Sequence, residues 1–295
     1  MLPLGGTGRR PKGAPMSWKG SLSLNYRRDP HSDVPRTVVH DRHDGPLRVL
    51  ASLYPEAPAV CHNVLVHPPG GIVGGDELAV DVSLAEGAHA LVTTAGATRF
   101  YRSTGAPAVQ SLHATLAAGA RLEWLPLETI AYSGCIAENR MRFTLAPGAE
   151  MIGWDVLALG LPTSNQPFER GVFTQSIELP GRWLERGVVS AGDTLLLDSP
   201  LGWAGHRVMG TLWFATGSAL PDLRRDTLLD AARAVVDGHA LRQRAGASAL
   251  PDGAIVLRVL APRVEPLVNL LSAVWAEWRR SAWQLAACTP RVWRT

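Results

Sequence analysis

Three carboxylates stand where a charge needs a physical reason. Asp155 lies inside the apolar run Met151-Ile152-Gly153-Trp154-Asp155-Val156-Leu157-Ala158-Leu159. A carboxylate in such a strand must be ion-paired, face water or keep its proton. Arg99 and Arg102 are candidate partners for a salt bridge; a polar lining inside the body is the other reading. Asp76 closes the stretch His67-Pro68-Pro69-Gly70-Gly71-Ile72-Val73-Gly74-Gly75-Asp76. Its prolines fix φ and its glycines are free of that limit, so the stretch is a shaped loop, neither helix nor regular strand. Asp76 either closes an ordinary turn by accepting backbone N–H bonds or faces a ligand. Glu185, in Glu185-Arg186, is the third. Asp155 with Glu185 could form the acid pair of a glycoside hydrolase.

Other reactive groupings are missing. The sequence has no GxSxG elbow, no Walker A loop and no HExxH, and its nine His are scattered. Hydrolase activity and GTP binding are therefore not expected of this chain. Cys61-His62 is the one adjacent Cys–His pair. On a strand the two point to opposite faces, which works against joint chelation, and a free Cys is commonly a small buried hydrophobe. Cys61, Cys135 and Cys288 are too far apart for a CxxC site or a disulfide framework.

The elements that must hold these residues are mostly strands. Val64–Val66 and Glu77–Val82 flank the central loop. Ser21–Tyr26 alternates polar and apolar, and Arg36–His40 and Leu47–Leu53 read as strands around the turn Asp44-Gly45-Pro46. A repeat follows: Leu84-Ala85-Glu86-Gly87-Ala88, Leu116-Ala117-Ala118-Gly119-Ala120 and Leu145-Ala146-Pro147-Gly148-Ala149 each precede an apolar strand. Their spacing of about thirty residues is that of stacked repeats, in which each unit buries its apolar face only against its neighbours. The expectation is a mainly β fold, with stacked short strands in a β-solenoid-like or sandwich-like body over 18–215. Gly171–Glu178, Leu184–Val189, Asp193–Leu197 and Val208–Ala215 complete it as strands. A small C-terminal α+β part, 216–295, holds two helices near 223–237 and 264–285 around a strand at Ala254–Ala261. Residues 1–17 read as a flexible leader.

Composition sets the outer limits. The chain has 295 residues, 46% hydrophobic and 19% charged, enough for a sizeable core. The formal net charge of +3 is too small to point to nucleic acid. Of the 29 basic residues, all but Lys12 and Lys19 are Arg, the better residue for fixed bidentate contacts. No apolar run reaches the length of a membrane span and the N-terminus lacks a secretory h-region, so the chain is expected to be cytoplasmic, with no membrane partner.

The HPPGGIVGGD loop is followed by Thr93-Thr94-Ala95-Gly96-Ala97-Thr98-Arg99-Phe100-Tyr101-Arg102-Ser103, by Leu122-Glu123-Trp124-Leu125-Pro126-Leu127-Glu128-Thr129-Ile130, and by Gly153-Trp154-Asp155. In this order and at these separations the four segments resemble the urease accessory protein family UreD, called UreH in some organisms. The likeness runs over roughly residues 18 to 293 and takes in Cys61-His62, Leu159-Gly160 and Pro290-Arg291-Val292-Trp293. The leader has no counterpart in the family pattern.

The resemblance implies a scaffold and not an enzyme. With UreF and the GTPase UreG it would dock on apo-urease, and nickel released from UreG would pass through it to the urease subunits. Family positions thought to line an internal nickel passage match Asp76, Asp155 and Glu185 here, with Thr98 as polar lining. No cofactor is implied as permanently bound; nickel is cargo in transit, and oxygen ligands suit a weak, exchangeable hold on it. The alternative from another class is a β-solenoid carbohydrate-active enzyme using Asp155 and Glu185.

Overall fold

The computed structural model describes residues 17–161, 164–251 and 253–294. The expected leader lies outside the described residues except for Ser17. Fourteen strands come first: β1 (Lys19–Arg28), β2 (Thr37–Asp44), β3 (Arg48–Val49), β4 (Val60–Val66), β5 (Glu77–Leu84), β6 (His89–Thr94), β7 (Thr98–Phe100), β8 (Ala108–Leu116), β9 (Arg121–Trp124), β10 (Thr129–Ala131), β11 (Cys135–Leu145), β12 (Glu150–Leu159), β13 (Gly171–Leu179) and β14 (Trp183–Ser190). Helix α1 (Thr194–Asp198), β15 (Val208–Thr216), helix α2 (Asp222–Asp237), β16 (Ala245–Leu250), β17 (Ala254–Ala261) and helix α3 (Val264–Trp283) follow.

Successive strands fall in two layers. One sheet has seven strands in the order β14-β13-β11-β8-β5-β1-β2; the other has ten, with the path β16-β17-β15-β12-β9-β6-β4-β3 and β7 and β10 beside it. In the first sheet β1, β5, β8, β11 and β13 pair parallel, and in the second β4, β6, β9 and β12 do. Each coil thus gives one strand to each layer, the β-solenoid-like stack that the repeat calls for. Leu84, Leu116 and Leu145 lie in register across β5, β8 and β11. The turns after them rest on one another, Gly87 N donating to Ala118 O at 3.1 Å. Gly87, Gly119 and Gly148 hold φ of 65°, 65° and 78°, open to glycine without a Cβ penalty.

One core fills the space between the sheets; a second lies on the outer face of the ten-stranded sheet, under α2 and α3. Strand β12 is therefore buried along its whole length, which is why Met151–Leu159 reads as a continuous apolar run instead of an alternation. Helix α3 packs Leu267, Leu270, Leu271, Val274, Trp275 and Trp278, a stripe at helical spacing, against this sheet. Polar contacts pin it as well. Arg279, fully buried, reaches Glu56 at 2.5 Å and Glu123 at 3.6 Å. Glu123 also accepts from Trp275 Nε1 at 2.6 Å and lies 2.8 Å from His89 Nε2.

Three local expectations change. Asp193–Leu197, expected as a strand, is helix α1, because the Asp193 side chain accepts from Leu196 N at 2.9 Å and caps a Leu-Leu-Leu turn that lacks alternation. The strand expected over Leu47–Leu53 shrinks to β3 plus an isolated bridge between Leu53 and His62. Helix α3 stops at Trp283, not 285, where Gln284 turns left-handed at φ 57°. Among the described residues no helix is long and apolar enough to cross a membrane.

Candidate functional site

The ten-stranded sheet is interrupted at one level in three successive coils. β4 ends at Val66 and gives way to the central loop; β6 ends at Thr94, with three residues between it and β7; β9 ends at Trp124, with four residues between it and β10. The breaks stack. Thr98 N donates to Glu128 O at 2.9 Å, and Ile72 N to Arg99 O at 2.7 Å. Behind them a cavity of about 330 Å³ opens between the sheets. Its outer wall is His67, Pro68, Gly70, Gly71 and Ala95–Arg99, where Pro68, Ala95, Gly96 and Arg99 are exposed. Inside it are Thr129, Gln110, Asn139 and, from β12, Asp155.

From the cavity a polar seam crosses an otherwise apolar interior. On the seven-stranded sheet Gln110, Asn139 and Gln175 stand in register on β8, β11 and β13. Gln110 Nε2 donates to Asn139 Oδ1 at 3.4 Å, and Asn139 Nδ2 to both Gln175 Oε1 and Asp155 Oδ1 at 3.3 Å. On the facing sheet Asp155, Thr211 and Arg258 stand in register on β12, β15 and β17. Residues opposite one another in a ladder share a face, so these three form a second polar row. Glu185 of β14 closes the seam. Thr211 Oγ1 donates to its Oε1 at 3.3 Å and Arg258 Nε to its Oε2 at 3.0 Å.

Asp155 is 7% exposed and pairs with neither Arg99 nor Arg102. Burial lifts its carboxyl from 3.8 to about 7; the Gln175 amide beside it opposes that rise and the charge of Glu185 adds to it. Gln175 Nε2 is buried and closes no hydrogen bond of its own, so it acts on Asp155 as a nearby dipole. His67, on the cavity wall, is held below the usual histidine range by burial, against the pull of Asp76.

The four residues taken from the resemblance do not stand alike. Thr98 and Asp155 line the cavity. Glu185 lies beyond it, tied to Asp155 through Thr211. Asp76 does not line it: buried, it spends Oδ1 on Trp18 N at 2.8 Å and Oδ2 on Val73 N at 3.0 Å, closing the loop that forms the cavity wall. Cys61 and His62 are buried apart from the cavity, with His62 Nε2 2.7 Å from Glu56. Among the described residues no three His, Cys, Asp or Glu side chains converge on a metal-sized site.

Sequence reading missed Gln110, Asn139, Gln175, Thr211 and Arg258. A signal was there. In β8, β11 and β13 the inward positions read Ala108-Gln110-Leu112, Ala137-Asn139-Met141 and Phe173-Gln175-Ile177, one polar break at the same register in three strands.

Stacked strands, two apolar cores and a polar seam define a β-solenoid-like scaffold with a hydrophilic interior track. A family model described as "UreD urease accessory protein" matches residues 19–294. The "Urease accessory protein UreD" of Leptothrix cholodnii is 62% identical over 280 residues, covering 95% of this chain and 100% of that protein. Those of Paracidovorax citrulli and Polaromonas sp. JS666 are 60% and 58% identical, each covering 94% of this chain and 99% of the relative. The chain belongs to the UreD urease accessory protein family.

Proposed function

We propose that this chain serves the maturation of urease as a non-catalytic scaffold, with UreF, UreG and the urease subunits as its partners, and that it conducts nickel in transit along the seam. The observation that carries this reading is the polar run from the cavity, lined by Thr98 and Asp155, through Thr211, in register with Asp155, to Glu185, which Thr211 reaches across to the other sheet. Buried polar side chains are costly without a use or full pairing. Here four of them, Asn139, Gln175, Asp155 and Thr211, are aligned across two sheets, between an exposed mouth and the exposed Arg258.

The donor set fits the cargo. Hydroxyl, amide and isolated carboxylate oxygens hold a divalent ion loosely enough to pass it on, whereas clustered Cys or His would retain it. Asp155 supplies a charge in mid-passage and Glu185 one near its end. Asp76 acts at one remove, by closing the loop that walls the cavity and by its field on His67.

The test is Asp155→Asn, which keeps volume and removes the charge. The variant is expected to fold and to co-purify with UreF and UreG, while the urease matured in its presence contains much less nickel. Normal nickel content with a folded Asn variant overturns the passage reading.

A further inference from the structure

We propose that Arg258 is a displaceable gate at the outer end of the seam, so that a divalent cation reaches Glu185 only by taking the place of its guanidinium. The inference rests on the passage reading above and adds a regulating residue to it. Both Glu185 oxygens are committed. Oε1 accepts from Thr211, and Oε2 takes Arg258 Nε at 3.0 Å together with a closer contact from Nη2. A dication cannot share Oε2 with a guanidinium, because like charges at bonding distance repel by several kcal/mol even at an effective dielectric of ~20.

The two sides of this pair differ in exposure. The Glu185 side chain is 17% exposed and that of Arg258 is 52% exposed. Release therefore moves Arg258 into water, where it is well solvated, and leaves the carboxylate facing inward along the seam. Room to move is built in. Gly246 stands opposite Arg258 on β16, and Gly187 stands opposite Gln175 on β14. A Cβ added at either glycine would meet no atom within 4 Å. On β16 the side chain that would stand beside Arg258 is absent, and in the facing sheet β14 leaves open space beside Gln175.

A pair whose cation stands half in solvent holds by about 1 kcal/mol, or roughly five-fold in an equilibrium constant. That is enough to keep Glu185 neutralised at rest and weak enough for nickel to open.

The experiment is a calorimetric titration of NiCl2 into the purified full chain, run on wild type, Arg258→Met, Glu185→Gln, Asp155→Asn and the Arg258→Met/Glu185→Gln double variant. Circular dichroism is used to verify the fold of each, and Arg258→Gln replaces Arg258→Met if the latter fails to fold. Arg258→Met is expected to bind Ni2+ about five-fold more tightly, Glu185→Gln and Asp155→Asn more weakly, and the double variant like Glu185→Gln alone. If Glu185→Gln and Asp155→Asn weaken binding but Arg258→Met does not tighten it, the gate is wrong and the passage stands. If Arg258→Met tightens binding equally in the Glu185→Gln background, Arg258 does not act through Glu185 and the gate is again wrong. If none of the variants differs from wild type, the passage reading itself falls.

Discussion

Trp275 Nε1 donates to Glu123 Oε2 at 2.6 Å, joining helix α3 to the middle of strand β9 with both side chains buried. The same Glu123 oxygen lies 3.6 Å from Arg279 Nε, and Arg279 reaches on to Glu56, which lies 2.7 Å from His62. The His62 partner and the Arg279 guanidinium hold the Glu56 carboxyl below its usual range despite burial. A helix packed only by its apolar stripe could slide along the sheet; a buried charge with fixed partners gives it one position.

Arg279→Met should therefore cost more than its lost packing. It leaves Glu56 and Glu123 without their shared cation, and orphaning a buried charge typically costs about 3–5 kcal/mol. Denaturant unfolding of the purified variant measures this. Combining it with Glu123→Gln should recover part of the loss, because one of the orphaned charges is then gone. A single variant within about 0.5 kcal/mol of wild type would show that the network is slack.

Asp155 should make stability fall as pH rises. Its folded pKa, about 7, lies above its ordinary value of 3.8. The folded state therefore holds the proton more tightly, and the stabilisation is full below about pH 4 and lost as pH passes through 7. In Asp155→Asn the slope disappears, so the variant should gain on wild type between pH 5 and pH 8 by an amount on the order of 3 kcal/mol at most. Melting curves of both proteins across that range check it; parallel curves would place the Asp155 pKa near its ordinary value.

Gly71→Ala tests the cavity wall. A Cβ at residue 71 would run into the Tyr101 ring, which leans on Tyr132 with ring centroids 4.9 Å apart. Overpacking of this kind costs about 1–3 kcal/mol, read as a lower melting temperature. The Tyr101 ring has to yield, so iodide quenching of tyrosine fluorescence should rise; an unchanged melt and unchanged quenching would mean that the loop gives way freely.

The stacking was legible because it is written as periodicity. The Leu-Ala-x-Gly-Ala turns recur at one spacing, and Leu84, Leu116 and Leu145 do lie in register. Helices α2 and α3 were legible for the same reason, as stripes at helical spacing. Within the site, Asp155 showed itself as a charge in an apolar strand. Asn139 and Gln175 did not, since each looks ordinary in its own strand and only the pairing of β11 with β13 aligns them. Arg258 lay in a strand correctly expected at Ala254–Ala261, yet its partner Glu185 belongs to the other sheet, and a contact between sheets leaves no trace in local sequence. The same holds for Glu123 and Arg279, whose meeting depends on how α3 docks.

Asn139→Leu tests whether the seam acts as one unit. Asn139 Nδ2 is shared between Asp155 and Gln175, and its Oδ1 accepts from Gln110. Leucine suits the inward register, where Ala137, Met141 and Phe143 are its neighbours on β11. Taken alone, the apolar replacement should pack well. Its cost falls on the partners: Asp155 loses a donor, and Gln110 and Gln175 lose their bonds to Asn139. Leaving buried polar groups unpaired costs about 1–3 kcal/mol each, and more for a charged one. The loss should thus be larger at pH 8, where Asp155 is mostly ionised, than at pH 5, where it keeps its proton. A double-mutant cycle with Asp155→Asn isolates that part: the coupling between the two positions should exceed about 0.5 kcal/mol at pH 8 and shrink at pH 5. Additive effects at both pH values would mean that Asn139 and Asp155 merely lie near each other, and that the polar row on one sheet does not sense the charge on the other.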